Sequence, residues 1–397
     1  MPRNLSNLDR RSFIKHTAMG TSVLMTSSVL SPLTNAKEPM TLSTFNKPWA
    51  KQSLRGGESF ILPSLNPDLL TLDEEGIRRD VRHAIAQGFC SIMPLTLGVD
   101  QKTDRLMREV IADEAKNKIN IVGIIRAGTW KDKKDSIRLL EQQGVSHALM
   151  YFNPNLPNQE AIYQQMREII DNTQLGIILY AKPSNTLEHL DPTGLPLDAL
   201  DRLANLDSVI GIKFTQELRP ATSYAVAERL GDRLLLGVVD LELMLALSAK
   251  YPMQWTGQWG IDCLQSPEQP WVNQFLALLR EGKHKQAYDL YWKFEPIATS
   301  FYQLQAPSLR IGGHPWLHIK YMQWLTGGNG GLLANLNESA DMVPHLDAAG
   351  RLACREIFAK VGIKTIELPD EAFVVGSSAY ERGVRSKDFP ALPQYVA

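Results

Sequence analysis

Three features of this chain predict a (β/α)8 barrel, an α/β fold, followed by a C-terminal helical appendage. From about residue 60 onward, short apolar runs alternate with amphipathic stretches, giving about eight strand–helix units in roughly 230 residues, the length and order of such a barrel. No Gly-rich phosphate fingerprint follows the first run, as a doubly wound open sheet would want. The helical periodicity then continues well past the eighth unit.

The elements follow in order. Phe60-Ile61-Leu62-Pro63 reads as a short first strand. Thr71-Leu72-Asp73-Glu74 is a capping box, and Ile77, Val81, Ala84 and Ile85 then share one helical face up to a left-handed stop at Gly88. Phe89 to Pro94 is the second strand, with a charged helix from about Asp104 to Lys118. Asn120 to Ile125 is the third, and its helix covers about Lys134 to Gln143 before Gly144. Strands four to eight are expected at His147–Phe152, Gly176–Tyr180, Val209–Lys213, Arg233–Leu236 and, more weakly, Met253–Thr256. Helices fill the intervals, including about Asn158 to Asp171 and Asp198 to Leu203. Further helices run from about Ser266 to Tyr302, Pro315 to Leu325 and Asp347 to Lys360. Thr365 to Ala397 carries three prolines and no clear period, which suggests an extended arm.

The 397 residues are 44% hydrophobic and 21% charged with a formal net charge of −1, so the composition is globular. The lack of any basic run beyond the N-terminus argues against a nucleic-acid partner. Asp9-Arg10-Arg11-Ser12-Phe13-Ile14-Lys15, an uncharged stretch from Thr17 to Leu33 and the small residues Thr34-Asn35-Ala36 match a twin-arginine export signal. The expected organisation is a signal over 1–36, a linker over 37–58, the barrel over 59–265, helices over 266–363 and a tail over 364–397. The mature protein is expected in the periplasm, free of the membrane once the signal is removed. Cys90, Cys263 and Cys354 follow no metal or redox spacing and give no disulfide framework.

The chemistry centres on Lys213. It ends the apolar run Val209-Ile210-Gly211-Ile212-Lys213-Phe214, where lost solvation lowers an amine's pKa and makes it a nucleophile able to form Schiff bases. The bland alternative is a strand-end lysine that reaches solvent or pairs with Glu217. Tyr180 ends the neighbouring strand and Thr96 follows strand two, all at the end of the barrel where active sites lie. A phenol beside a neutral amine can shuttle protons; a core aromatic is the other reading of Tyr180.

From about Phe60 to Gly362 the chain resembles the dihydrodipicolinate synthase / N-acetylneuraminate lyase family of class I aldolases. Gly211-Ile212-Lys213 resembles the Schiff-base strand, and Tyr180-Ala181-Lys182-Pro183-Ser184-Asn185 the tyrosine-x-x-proline segment. Leu95-Thr96-Leu97-Gly98 stands where the family has a Gly-Thr-Thr-Gly or Gly-Ser-Thr-Gly turn. The resemblance implies a cofactor-free, metal-free lyase acting on a 2-oxo acid, in dimers or tetramers. It makes Lys213 the nucleophile, Tyr180 the general acid/base, and Thr96 a hydroxyl linked to the tyrosine or to the substrate carboxylate, with the Thr96-Leu97 amides holding that carboxylate.

Departures from the pattern bear on the substrate. Leu97 replaces a second hydroxyl, and Asn185 stands where dihydrodipicolinate synthases carry an arginine. Tyr151-Phe152-Asn153-Pro154 occupies the region of their Pro-Tyr-Tyr run. A sugar-derived acid, cleaved or dehydrated, is therefore expected ahead of lysine biosynthesis, and an impaired barrel that only binds a small acid is the rival reading. Trp255, Gln258 and Trp259 near strand eight suggest a stacking pocket, or equally a core tryptophan pair. Arg126 is an anion contact or a surface salt bridge. His314 and His318 have helix-face metal spacing but no third ligand, and Gly327 to Gly331 reads as a helix stop.

Overall fold

The computed structural model describes residues 43–215, 219–309, 311–334, 342–390 and 392. The twin-arginine segment and Glu217 lie outside the described residues. Within them, eight parallel strands form the barrel: β1 (Gly56–Ile61), β2 (Ser91–Pro94), β3 (Asn120–Ile125), β4 (His147–Tyr151), β5 (Gly176–Ala181), β6 (Val209–Phe214), β7 (Leu235–Val238) and β8 (Trp255–Thr256). Their order is β7-β6-β5-β4-β3-β2-β1-β8. The Thr256 hydroxyl donates to Val238 O at 2.6 Å across the β7–β8 seam, which nearly closes the barrel.

Parallel strands covered on both faces read as continuous apolar runs, which is why β4, β5 and β6 are legible from sequence. Helices alternate with them: α1 (Lys47–Ser53), α2 (Glu74–Ala86), α3 (Gln101–Ala115), α4 (Trp130–Gln142), α5 (Gln159–Ile170), α6 (Leu197–Leu203), α7 (Pro220–Leu230) and α8 (Leu241–Ser248). Side-chain caps start several of them, from Asp100, Asn158 and Asp240, and Thr129 with Asp132 forms a full capping box.

The structure differs from the sequence expectation in three places. First, β1 begins at Gly56, so Glu58 and Ser59 are strand residues, and α1 occupies much of the expected linker. Second, the box at Thr71 is not used: α2 starts after Asp73, whose side chain makes no cap bond and instead accepts from Arg382 at 2.7 Å. Third, the tail is not an extended arm. It folds as α13 (Asp370–Val375) and α14 (Ser377–Glu381) after α9 (Trp271–Arg280), α10 (His284–Leu309), α11 (Trp316–Leu325) and α12 (Ala348–Val361).

These helices are wired to β1. Buried Lys320 on α11 donates to Pro63 O and, at 2.8 Å, to the Ser64 hydroxyl. Gln323 Nε2 reaches Phe60 O at 3.2 Å, and the Ser59 hydroxyl donates to buried Asp262. The glycine stretch after α11 is a buried junction as well as a helix stop: Asn329 N–H donates to Asp80 at 2.6 Å, while Ser377 and Ser378 amides donate to Asn329.

Candidate active site

The strand register aligns Tyr151, Tyr180, Lys213 and Gly237 across β4, β5, β6 and β7, toward the C-terminal ends of the strands. Lys213 is 5% exposed. Its Nζ lies 5.9 Å from the Tyr180 ring centroid and 5.6 Å from that of Phe60 on β1. Burial pushes the amine below its ordinary pKa, and the charge of Glu58 opposes that shift.

Glu58 is the buried carboxylate facing this lysine, and it was not foreseen from sequence. It is 1% exposed, and Ser91 Oγ donates to its Oε2 at 3.3 Å. Burial pushes its carboxyl up to about 7, against the opposing pull of Lys213 and then of Ser91. The place of both groups is fixed by Gly257. A Cβ there would meet Glu58 Oε1 at 3.1 Å, the Trp255 ring at 3.3 Å and Lys213 Cδ at 3.4 Å, so the three side chains meet over one glycine.

Trp255 is a core residue. It is 1% exposed, and a Cβ at Gly237 would fall 2.1 Å from its Cζ3, so the ring lies flat on the β7 backbone beside the lysine. Of the two sequence readings, the core one fits this placement, and the ring's effect on Lys213 is to exclude water. Gln258 is buried too, and its Nε2 donates to Tyr302 Oη on α10 at 3.0 Å, tying the loop after β8 to the appendage.

On the other flank, Tyr151 packs on Tyr180 with centroids 4.5 Å apart, and exposed Arg126 lies over Tyr151 at 4.8 Å. Arg126 is thus linked to the tyrosines by stacking on a ring. Thr96 and Leu97 are half-buried in the turn after β2, where Gly98 takes φ 72°, and Leu97 packs against the core. Asn185 is exposed in a short 3-10 turn headed by Ser184. Trp259, His314 and Trp316 form a cluster beside Phe301, with His314 stacked on Trp316 at 4.8 Å, and burial pushes His314 down to about 4. His314 thus belongs to an aromatic cluster, and among the described residues no group of three His, Cys, Asp or Glu side chains could hold a metal. No helix among them is long and apolar enough to cross a membrane.

Sequence reasoning missed Glu58, Tyr151's contact with Tyr180, and Phe60's ring. The available signal for Glu58 was a single acidic residue just before an apolar run, in the register where a strand could begin two residues earlier.

Comparison with known proteins agrees with this barrel. A 4-hydroxy-tetrahydrodipicolinate synthase of Methanothrix thermoacetophila is 24% identical over 246 residues, 58% of this chain and 77% of that enzyme. The Thermotoga maritima enzyme of the same name is 30% identical over 166 residues, 40% of this chain; the chain spans about half of that relative's length, 53%. Among solved structures, an N-acetylneuraminate lyase from Fusobacterium nucleatum has a TM-score of 0.59 at 15% identity, covering 78% of this chain and 99% of that one. A prophage protein of the dihydrodipicolinic acid synthase family from E. coli K12, in complex with pyruvate, has a TM-score of 0.60 at 13% identity over 78% and 99%. Residues 59–247, which carry Tyr180 and Lys213 and begin one residue after Glu58, match the model of the Dihydrodipicolinate synthetase family.

Proposed function

We propose that the protein is a class I lyase that forms a Schiff base between Lys213 and a 2-oxo acid, then cleaves or dehydrates it. The observation that carries this reading is a buried amine, shifted down by desolvation, beside a tyrosine at the end of the barrel where such sites lie. Lys213 attacks the C2 carbonyl, water leaves, and the iminium serves as an electron sink for loss of a C3 proton or of the C3–C4 bond. Tyr180 moves the proton, and Thr96, with the Thr96-Leu97 amides, holds the carboxylate. The pyruvate complex of the prophage relative is consistent with a 2-oxo acid in this fold.

The twin-arginine pattern at Arg10-Arg11 supports export to the periplasm, and the family domain supports a homodimer or homotetramer. A second reading, a 4-hydroxy-tetrahydrodipicolinate synthase proper, is favoured by the names of the relatives. Exposed Asn185 in place of the family's arginine weighs against it. Borohydride reduction with pyruvate and a panel of 2-oxo sugar acids, read by peptide mass, tests the proposal. An adduct on Lys213 that disappears in Lys213→Ala supports it; no adduct on folded protein favours a barrel that only binds. Condensation of pyruvate with aspartate semialdehyde separates the second reading.

A further inference from the structure

A buried glutamate in a barrel is ordinarily held by an ion pair or a full set of donors. Glu58 has neither. Ser91 serves Oε2, while Oε1 is buried and without a hydrogen-bond partner. That free oxygen is the one that touches the Gly257 position, shared with the Lys213 stem and the Trp255 ring. Among the described residues the carboxylate and the amine are not in direct ion-pair contact, yet each is the other's main charged neighbour. The strand that carries Glu58 is anchored at both flanks: Asn273 Oδ1 accepts from Gly57 N–H at 2.8 Å, and Asp262 accepts from the Ser59 hydroxyl. The carboxyl is therefore placed, and its second oxygen is left for something that arrives near the lysine.

We propose that Glu58 is a positioning residue for the Schiff-base step: it and Lys213 hold one proton between them, and Glu58 releases that proton when the iminium forms. The proposal rests on the Schiff-base reading above. Its balance is simple. A neutral amine, a ketone and one proton give an iminium and a water. Lys213 supplies the electron pair for the new N–C bond, the C–O bond of the carbinolamine breaks, and the departing hydroxyl takes the proton that was on Glu58, relayed by Tyr180. The pair is neutral before the step, as acid and amine or as carboxylate and ammonium. It is neutral after it, as carboxylate and iminium. The Glu58–Lys213 pair itself then never carries a net charge in a water-poor pocket.

The groups that face the pair come from each packed element. Among the described residues they are Asp262 after β8, Cys90 before β2 and Tyr180 on β5, with His314 feeling the Lys213 charge at longer range. Asp262 is itself pushed up to about 7 by burial, and its charge makes Glu58 harder to ionise.

The test uses two readouts on the full-length protein. The first is competitive trace labelling of amines with acetic anhydride across pH, without substrate, with Lys213 followed by peptide mass. Losing the carboxylate in Glu58→Gln removes the charge that favours the ammonium, so Lys213 becomes reactive at lower pH than in wild type. The second is the rate of borohydride-trapped adduct formation with pyruvate. Glu58→Gln, which cannot supply the proton, falls at least tenfold at neutral pH, and Glu58→Asp recovers part of the rate. A purely structural role would move neither the labelling profile nor the pH dependence of trapping. Unchanged labelling and trapping in Glu58→Gln, beside a wild type that traps, overturns the role of Glu58 alone. A wild type that traps no 2-oxo acid, although its lysine labelling responds to Glu58, overturns the Schiff-base reading and the proton delivery with it.

Discussion

Gly237→Ala is the substitution whose effect the geometry defines most sharply. A Cβ at this position of β7 would sit 2.1 Å from Cζ3 of Trp255 and 2.8 Å from both Cε3 and Cη2. Carbon atoms pack at about 3.5–4.0 Å, so the ring or the strand must yield by more than ~1 Å. The ring has nowhere free to go. It is 1% exposed, and its Cζ2 edge faces Gly257, the position that Glu58 and the Lys213 stem also border. Overpacking of this kind costs about 1–3 kcal/mol, and the upper half of that range is expected here because backbone stands on one side. Urea unfolding followed by far-ultraviolet circular dichroism measures it, since a tryptophan is itself varied in the control. In a Trp255→Phe background the smaller ring relieves the clash, and the added cost of Gly237→Ala should fall by at least ~1 kcal/mol. A Gly237→Ala protein as stable as wild type to within ~0.5 kcal/mol would refute the reasoning. So would an equal loss in both backgrounds, which would place the strain somewhere other than this ring.

Two further outcomes are expected. Lys320→Ala should cost about 3–5 kcal/mol, because it leaves Pro63 O, Ser64 and the nearby carboxylate of Asp80 without their buried cation; urea midpoints check this, and a loss below ~1 kcal/mol would show the amine to be dispensable. His147 is buried beneath Trp49 and held neutral, its pKa pushed down to about 3 from an ordinary 6.5. The unfolded chain therefore binds a proton that the folded chain refuses: the contribution is whole above pH 6.5 and is lost as pH falls through about 3. His147→Phe should flatten the decline in stability between pH 6 and 4, and an unaltered acid limb would contradict that account.

Lys213 and Tyr180 were legible because each ends an apolar run, and a run of that composition can only be a covered strand. The boundaries of β1 were not. Gly56 and Gly57 look like linker, yet they are strand residues kept small by Asn273 and Phe89, which a Cβ at either position would strike. That misreading hid Glu58, since an acidic residue in a linker carries no message. Trp255 was readable as core or as pocket, because indole serves both, and only the bare backbone of Gly237 against its face decides. The tail defeated periodicity for another reason. Its helices span six and five residues, too short for a repeating apolar face; the first is held by Phe373 against Tyr321 and Trp324, the second by Asn329.

The attachment of β1 to α11 also sets an order in time. Ser59 finds its acceptor 203 residues later, Pro63 its donor 257 residues later, and Phe60 its donor 263 residues later. During synthesis the first strand emerges early, gains Asp262 only after two thirds of the chain is made, and waits longer still for Lys320 and Gln323. A ribosome that stops after residue 265 would leave all eight strands made but the Lys320 and Gln323 contacts absent. The strand that presents Glu58 to Lys213 would then be loosely held. Assembly of the reactive centre is in this way coupled to completion of the polypeptide, so that truncated products are poor candidates to carry a reactive lysine.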